Sequence, residues 1–255
     1  MRGRNFKVRL IIGVAIALFF VIKRYAQQEV NPYTGRTQTI SMSPDKEIEI
    51  GLAAAPQMAE QHGGLYPDQN FQQLVDEVGR KLVDNSIANE TPYEYEFHLL
   101  ADNETINAFA LPGGQIFITY ALFSQLENED QLAGVLGHEI GHVLGKHSAE
   151  RIAESEYWQG LVTAGSVGGD IGGLVGQIGN GTLLKNGRED ELESDDLGVR
   201  FMIRSGYEPE EMIGVMRILK DAAGPNRIPE FQSTHPDPDN RIEKIRASIE
   251  KYKNP

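Results

Sequence analysis

Two histidines four residues apart, His138 and His142, restrict the fold of this chain more than any other pattern in it. They belong to a His-Glu-Ile-Gly-His segment flanked by apolar residues at helical spacing, which predicts a buried helix over about residues 129–146. Side chains at positions i and i+4 share one helix face, so both imidazoles can reach one divalent metal ion. Glu139 is offset from that face and can contact a metal-bound water without ligating the metal.

A hydrolytic metal centre of this kind needs a third protein ligand and an open position. The arrangement HExxHxxGxxH would supply a third histidine at residue 148, but that residue is Ser148, and His147 comes one residue too early. His147 therefore points away from the His138/His142 face, and we expect it to interact with the C-terminal end of the helix.

An acidic run over residues 188–196 contains the remaining candidate ligands. One carboxylate of such a run can bind metal while another, four residues later, accepts a hydrogen bond from a ligating imidazole. The spacing allows Glu191 with Asp195 and equally Glu189 with Glu193. Spacing alone does not choose between these pairs, and a solvated helix face is the simpler interpretation of such a run.

Several motifs, in order, resemble those of the M48 (Ste24-like) zinc metallopeptidases, gluzincins with HExxH and a glutamate ligand on a later helix. The matching segments are residues 107–114, residues 138–147, Arg188-x-x-Glu191-x-Glu193-x-Asp195, and Thr234-His235-Pro236 followed by Arg241. The resemblance covers most of residues 45–250. It departs at Gly187, where the family usually has Ser, and at Ser194, where it usually has Ala.

This resemblance implies one zinc ion per chain, held by His138, His142 and Glu191. Glu139 would activate the attacking water, and Asp195 would accept a hydrogen bond from a ligating imidazole. The implied fold is α+β, a mostly helical zincin-type domain with one small β-sheet beside the active-site helix. The implied protein is a minimal bacterial member anchored in a membrane.

His235 and Arg241 have more than one interpretation. The resemblance places both near the zinc, where they would act as catalytic residues that stabilise the oxyanion of the tetrahedral intermediate. His235 could instead cap the open position and keep the enzyme inactive. The simplest alternative is that residues 235–239 cap the last helix while Arg241 forms a surface ion pair.

The resemblance also suggests a substrate-binding strand, formed by Asn107, Ala108, Phe109 and Ala110. If this strand is an exposed edge, a peptide can add to it through backbone hydrogen bonds that do not depend on sequence. Such binding suits unfolded or misfolded polypeptide substrates.

The charges of the chain are distributed unevenly. It has 24 basic and 37 acidic residues, a net charge of −13, and no cysteine. Six of the bases and none of the acids lie in the first 26 residues: Arg2, Arg4, Lys7, Arg9, Lys23 and Arg24. The acidic remainder would repel phosphate backbones, so nucleic acid is an unsuitable partner.

An apolar run from Leu10 to Ile22 follows the basic start. Its thirteen helical residues cover about 20 Å, which fits a signal-peptide core or a membrane anchor, and a buried core helix is the third interpretation. We favour an uncleaved anchor with a cytoplasmic N-terminus, because small residues suited to cleavage do not follow the run. Counted from Phe6 to Tyr25, the segment is long enough to span the membrane.

We predict an anchor or signal peptide over residues 1–26, a polar linker over 27–42 and the metallopeptidase domain over 43–255. The domain should contain helices at about Ser43–His62, with Ser43-Pro44 as its N-terminal cap, and at Asp68–Asn85, Glu129–Lys146, Ser148–Leu161, Asp190–Ser205, Glu208–Ala223 and Pro238–Lys251. Strands are expected at Tyr93–Leu100, Ala108–Leu111 and Gln115–Tyr120, with Pro112-Gly113-Gly114 as the turn between the second and the third. Residues 160–181 hold nine glycines and are expected to be a mobile loop or closely packed helices. A gate over the site is the alternative for that stretch.

The sequence therefore predicts a zinc endopeptidase, attached to a bacterial inner membrane by its N-terminal helix, with the domain on the extracytoplasmic side. It would act in quality control of membrane or envelope proteins. Secretion after signal cleavage is the alternative location. A chaperone-like holdase or assembly factor, with a closed or structural zinc site, is the alternative function.

Overall fold

A computed structural model describes residues 2–168, 172–222, 235 and 240–253. The chain divides into two compact units, residues 1–42 with 147–187 and residues 43–146 with 188–255. The helices are α1 (Arg2–Ala26), α2 (Pro44–Gln61), α3 (Gln69–Asp84), α4 (Tyr120–Phe123), α5 (Glu129–Leu144), α6 (His147–Gly168), α7 (Gly172–Arg204), α8 (Glu211–Ala222) and α9 (Arg241–Lys253), with a 3₁₀ turn at Ile87–Glu90. The strands are β1 (Gln28–Val30), β2 (Thr37–Thr39), β3 (Glu96–Leu100), β4 (Ala108–Ala110) and β5 (Gln115–Thr119). The mostly helical α+β class is as predicted.

The first unit contains α1 packed against α6, together with a small sheet that the sequence analysis missed. Strands β1 and β2 pair antiparallel within residues 27–42, so the described chain has two small sheets instead of one. The turn between them is local in origin. The Oδ1 atom of Asn31 accepts hydrogen bonds from the amides of Tyr33 and Thr34, and Gly35 takes a positive φ of 76°.

Helix α1 forms over the predicted N-terminal segment. No helix in the described part of the chain has the length and apolar character needed to cross a membrane. Charged residues close to both ends of the apolar run limit its uninterrupted length to the thirteen residues from Leu10 to Ile22.

The second unit is built around a three-stranded sheet in the order β3-β5-β4. Strand β5 runs parallel to β3 and antiparallel to β4, with Phe117 opposite both His98 and Phe109. The β4–β5 connection is the predicted Pro-Gly-Gly turn, in which Gly113 and Gly114 have φ values of 81° and 110°. Helices α3 and α5 pack against this sheet and against each other.

Helix α2 supports both the β4–β5 turn and the end of α5. Its N-terminus is capped by Ser43, as the Ser-Pro pair predicted. A Cβ atom added to Gly113 would lie 2.4 Å from the Cα atom of Ile48, so the turn and the helix are in backbone contact. The buried Glu47 carboxylate lies 3.4 Å from the Nζ atom of Lys146, the second residue after α5.

The glycine-rich stretch is helical wherever it is described. Residues 160–168 belong to α6 and residues 172–181 to α7, while residues 169–171 lie outside the described chain. A Cβ atom on Gly160 would lie 2.4 Å from the ring of Phe20, so this glycine allows α6 to approach α1 closely. Of the two expectations for the stretch, closely packed helices fit it better than a loop.

Candidate metal centre

Helix α5 carries His138, Glu139 and His142 at its buried centre. Asn128 is the N-cap of this helix, and its side chain accepts a hydrogen bond from the amide of Gln131. All three motif side chains are buried, and Glu139 has no exposed surface. The Nε2 atoms of His138 and His142 lie 3.0 Å apart, as the i, i+4 spacing predicted.

Helix α7 approaches α5 at a point where neither helix has a large side chain. A Cβ atom on Gly141 would lie 2.9 Å from both the Cα and the carbonyl oxygen of Ser194. This contact brings Glu191 and Asp195, on either side of Ser194, up to the two histidines. Of the two carboxylate pairs that spacing allowed, the structure places Glu191 and Asp195 at the centre.

The Glu191 carboxylate completes a compact donor set. Its Oε2 atom lies 3.3 Å from Nε2 of His138, and its Oε1 atom lies 3.3 Å from Nε2 of His142. A tetrahedral zinc centre with metal–ligand bonds of about 2.0–2.1 Å has donor–donor distances of about 3.3–3.4 Å. The nitrogen and oxygen donors therefore fit a tetrahedral zinc ion in both chemistry and separation.

His235 supplies a fourth donor to the same set. Its Nδ1 atom lies 3.1 Å from Oε1 of Glu191 and 3.4 Å from Nε2 of His138. One ligand atom from each of the four residues lies within 4.8 Å of the others. On its other side, the Nε2 atom of His235 lies 3.2 Å from the carbonyl oxygen of Ala108.

Asp195 links the donor set to Arg241. Its Oδ1 atom lies 2.9 Å from Nδ1 of His138, so the carboxylate orients the imidazole and fixes its tautomer. The guanidinium of Arg241 donates to both Asp195 oxygens, at 2.7 and 2.9 Å. Arg241 is buried and also lies 3.4 Å from Glu191, so the surface ion pair considered for it is wrong.

Burial and neighbouring charges act in opposite directions on the pKa values of these groups. Burial lowers the pKa of His138, but hydrogen bonds to Asp195 and Glu191 raise it to about 10. Burial raises the pKa of Glu191, yet the charge of His235 helps to hold it well below its usual range. Burial also raises the pKa of Asp195, and the charge of Arg241 outweighs this and lowers it. Both carboxylates are therefore ionised at neutral pH, and a metal ion competes with a proton for His138.

Strand β4 forms an edge of the described sheet next to this centre. The amide of Thr119 donates to the carbonyl of Asn107, and the amide of Leu111 donates to that of Gln115. In an antiparallel pair, alternate residues bond to the partner strand, so the backbone groups of Ala108 and Ala110 point to the other side. That side is where His235 contacts Ala108.

His62, to which no sequence motif assigns a role, lies beside β4. Its Nδ1 atom lies 2.9 Å from the carboxylate of Asp102, and its ring lies 5.4 Å from that of Phe109. No sequence pattern joins these residues, because they come from separate loops and strands. His147 is buried at the start of α6 and is not one of the four clustered donors, and its interaction with the C-terminal end of α5 stays a prediction.

A buried HExxH helix, a glutamate from a following helix and an adjacent strand edge define the centre of a metallopeptidase. Comparison with known families agrees, because the profile of Peptidase family M48 matches residues 69–249. The chain belongs to peptidase family M48, a family of metalloendopeptidases.

Individual relatives include the Beta-barrel assembly-enhancing protease of Yersinia pestis, 30% identical over 239 residues, which cover 89% of this chain and 48% of the relative. The Escherichia coli K12 protein of the same name is 29% identical, over 83% of this chain and 45% of its own length. The Mitochondrial metalloendopeptidase OMA1 of Schizosaccharomyces pombe is 28% identical, over 87% of this chain and 66% of its own length. The chain spans about half the length of the first two relatives.

Proposed function

We propose that this protein is a zinc-dependent endopeptidase that hydrolyses peptide bonds in unfolded or misfolded polypeptides. The observation that carries the proposal is the buried donor set of His138, His142, Glu191 and His235 with the Glu139 carboxylate beside it. Its donor types and separations fit one zinc ion per chain.

The residues around the metal have separate tasks. Zinc held by His138, His142 and Glu191 would lower the pKa of a water molecule and polarise the substrate carbonyl. The Glu139 carboxylate accepts a proton from the attacking water and passes it to the leaving amine. Asp195 keeps His138 oriented, and Arg241 keeps Asp195 ionised.

In the conformation described here, we assign His235 as a cap on the site. Four protein ligands are typical of closed zinc sites, whereas hydrolysis needs three ligands and one open position. The Nδ1 atom of His235 lies at donor distance from both Glu191 and His138 and therefore fits the fourth position. Peptide hydrolysis would require His235 to move out of that position.

The edge position of strand β4 supports unfolded polypeptides as the substrates. An extended peptide can bind an edge strand through backbone hydrogen bonds, and only an unfolded segment presents its backbone in this way. The backbone groups of Ala108 and Ala110 are oriented for such pairing. The side chain of Phe109 points to the opposite face of the sheet from those of Ala108 and Ala110. It stacks on Phe117 with ring centroids 4.9 Å apart, and this contact makes the strand more rigid.

We further propose a role in envelope protein quality control, at the extracytoplasmic side of a bacterial inner membrane. The names of the bacterial relatives support this setting. Attachment would occur through α1, whose basic residues precede and follow an apolar run. Release as a secreted protein after signal cleavage is the alternative.

A chaperone-like holdase is a second candidate, and the four-donor cluster favours it. If His235 stayed in the fourth position, the zinc would be structural and the edge would hold peptides without cleaving them. Glu139 favours the protease, because a structural site has no need of a buried base beside the metal.

The two functions can be separated by comparing the wild-type chain with two variants. One is Glu139→Gln, and the other is a control, Glu49→Gln, on the exposed side of α2. Cleavage of an unfolded protein and bound zinc would be measured in each. The protease predicts that Glu139→Gln keeps its zinc and loses about 10²- to 10⁴-fold in rate, while the control is unchanged. Zinc binding and peptide retention without cleavage, in wild type as in the variant, would favour the holdase.

A further inference from the structure

We propose that α1 and α6 attach to a bilayer as one two-helix unit, in which acyl chains cover the faces of α1 that α6 leaves open. The inference rests on the membrane attachment proposed above. It adds the surface that contacts lipid and the second helix that α1 carries with it.

Most of the circumference of α1 is apolar and exposed. Ten large apolar or aromatic side chains of this helix are between 45% and 70% exposed: Phe6, Val8, Leu10, Ile11, Ile12, Val14, Leu18, Phe19, Ile22 and Tyr25. The covered stripe is narrow and includes Gly13, Ala17 and Phe20. A helix that is apolar on all sides is normally buried in a protein core or in lipid. In the described part of the chain, α6 covers only one side of α1.

The contact between α1 and α6 has the character of helix packing in lipid. The ring of Phe20 lies directly on Gly160, where a Cβ atom would be 2.4 Å away. Gly160 begins a small-residue repeat that continues at Ala164 and Gly168, four residues apart. Such repeats let helix backbones approach in membranes, where burial of apolar surface gives no driving force between helices.

Arg9 precedes the apolar run, and two of its nitrogen atoms bond to α6 within the helix pair. Its Nε atom donates to the carbonyl of Val167 at 3.1 Å, and its Nη2 atom lies 3.4 Å from the carbonyl of Ser166. These carbonyls are near the C-terminal end of α6, which has a negative partial charge. Ionisable groups inside membranes are usually paired in this way, with partners that include backbone carbonyls.

The two bases at the other end of α1 are also paired with α6. The Nζ atom of Lys23 lies 3.1 Å from the carboxylate of Glu156, and Arg24 forms an ion pair with Glu154. The Arg24 guanidinium also lies over the ring of Tyr157. The helices are therefore joined at both ends, and lipid contact by α1 would bring α6 with it.

The charge of α1 favours a bilayer over a second copy of the chain as the occupant of its open faces. The helix has basic residues near both ends and no acidic residue. Lys23 and Arg24 are paired with glutamates of α6, so the net positive charge of the helix is at its N-terminal end. A second α1 in parallel orientation would bring these like charges together, whereas anionic headgroups complement them. The run from Leu10 to Ile22 is about 20 Å long, which is short enough to fit within a hydrocarbon core about 30 Å thick.

Because the chain contains no cysteine, single introduced cysteines can report contact with lipid. Ile11→Cys, Leu18→Cys and Ile22→Cys would carry an environment-sensitive fluorophore, with Leu52→Cys, 47% exposed on α2, as the matched control. Vesicles of phosphatidylethanolamine and phosphatidylglycerol (3:1) would contain brominated acyl chains as quenchers. We expect a blue shift and loss of most emission at the three α1 sites, and no change at Leu52→Cys.

The pairing of α1 with α6 is tested separately in the same vesicles. The double variant Phe20→Cys/Gly160→Cys removes the ring that occupies the contact and should form a disulfide on mild oxidation, whereas Tyr25→Cys/Gly160→Cys should not. Lipid contact without this disulfide would mean that α1 binds as a lone anchor, which overturns the inference but keeps the proposed attachment. No lipid contact at any α1 site, or shielding of these sites by dimerisation without vesicles, would overturn both. Peptide cleavage by the same samples tests the protease independently.

Discussion

The imidazole of His235 joins the metal donor set to the backbone of Ala108. Its Nδ1 atom lies 3.1 Å from Glu191, and its Nε2 atom lies 3.2 Å from the Ala108 carbonyl. With metal on Nδ1, the proton must be on Nε2, which then donates to that carbonyl and fixes the tautomer. The same carbonyl points to the side of β4 where an added peptide strand would bind. We therefore expect capping of the metal and peptide binding at Ala108 to exclude each other.

Replacement of His235 with Ala should raise the rate of peptide cleavage several-fold, because it opens the fourth metal position and frees the Ala108 carbonyl. Zinc should stay bound through the remaining three ligands, with weaker affinity. Cleavage of an unfolded protein and zinc content would be measured together, with His98→Ala as a control on β3, where His98 bonds to Gln115. A fall in rate with zinc retained would instead assign His235 to stabilisation of the transition state.

Replacement of Ala108 with Pro should sharply weaken peptide cleavage while zinc remains bound. Proline removes the Ala108 amide, which points away from β5 and would donate to a bound peptide. The variant Phe109→Pro is the comparison, because it removes an amide on the side that faces β5 and should unfold the hairpin. Unchanged cleavage by a folded Ala108→Pro protein would eliminate edge binding.

Replacement of Gly141 with Ala should weaken zinc binding and destabilise the fold by about 1–3 kcal/mol, because the added methyl group displaces α7 and with it Glu191. Gly134→Ala, on the same helix, is the matched control. Its added atom would lie no closer than 3.4 Å to a neighbour, and alanine favours the helix. Thermal unfolding and zinc competition with a chelator would measure both. Equal zinc affinity in the two variants would contradict a role for the Gly141–Ser194 contact.

Replacement of Asp102 with Asn should lower stability at neutral pH by about 1 kcal/mol. Burial raises the pKa of Asp102, but hydrogen bonds from His62 and from the amides of Thr105 and Glu104 bring it down to about 2. A depressed native pKa stabilises the fold above the unfolded value near 4, and the benefit is lost as pH falls towards 2. The difference in the free energy of unfolding between wild type and variant should therefore disappear between about pH 4 and pH 2. Asp45→Asn, on the exposed start of α2, should show no such dependence.

The sequence was sufficient for the parts of the site whose geometry is local. His138, Glu139 and His142 follow from helical periodicity, and the β4–β5 hairpin follows from its Pro-Gly-Gly turn. The choice of Glu191 over Glu189 could not come from spacing, because both have a carboxylate four residues later. Family resemblance made that choice, and the physical reason lies in the contact of Gly141 with Ser194.

Other features depend on contacts between residues far apart in the sequence. The pairing of Arg241 with Asp195 and the position of His235 against Ala108 join separate elements and leave no local pattern. The sheet at residues 28–39 was missed because its strands have only three residues each, and a polar composition looks like a linker. The true length of α7 was missed because glycines normally weaken a helix.

The positions of the donor residues along the chain also set the order in which the parts of the metal centre become available during synthesis. The β3–β5 sheet lies within residues 96–119 and can form from contacts that are close in sequence. The HExxH helix emerges next, but Glu191 and then Arg241 must follow before the donors and their support are all present. The free energy of binding a metal ion at these donors would therefore be available only to a chain that has reached its native arrangement. A ribosome-bound chain that has not yet exposed Glu191 cannot assemble this centre, so the proposed proteolytic activity would be delayed until folding is nearly finished.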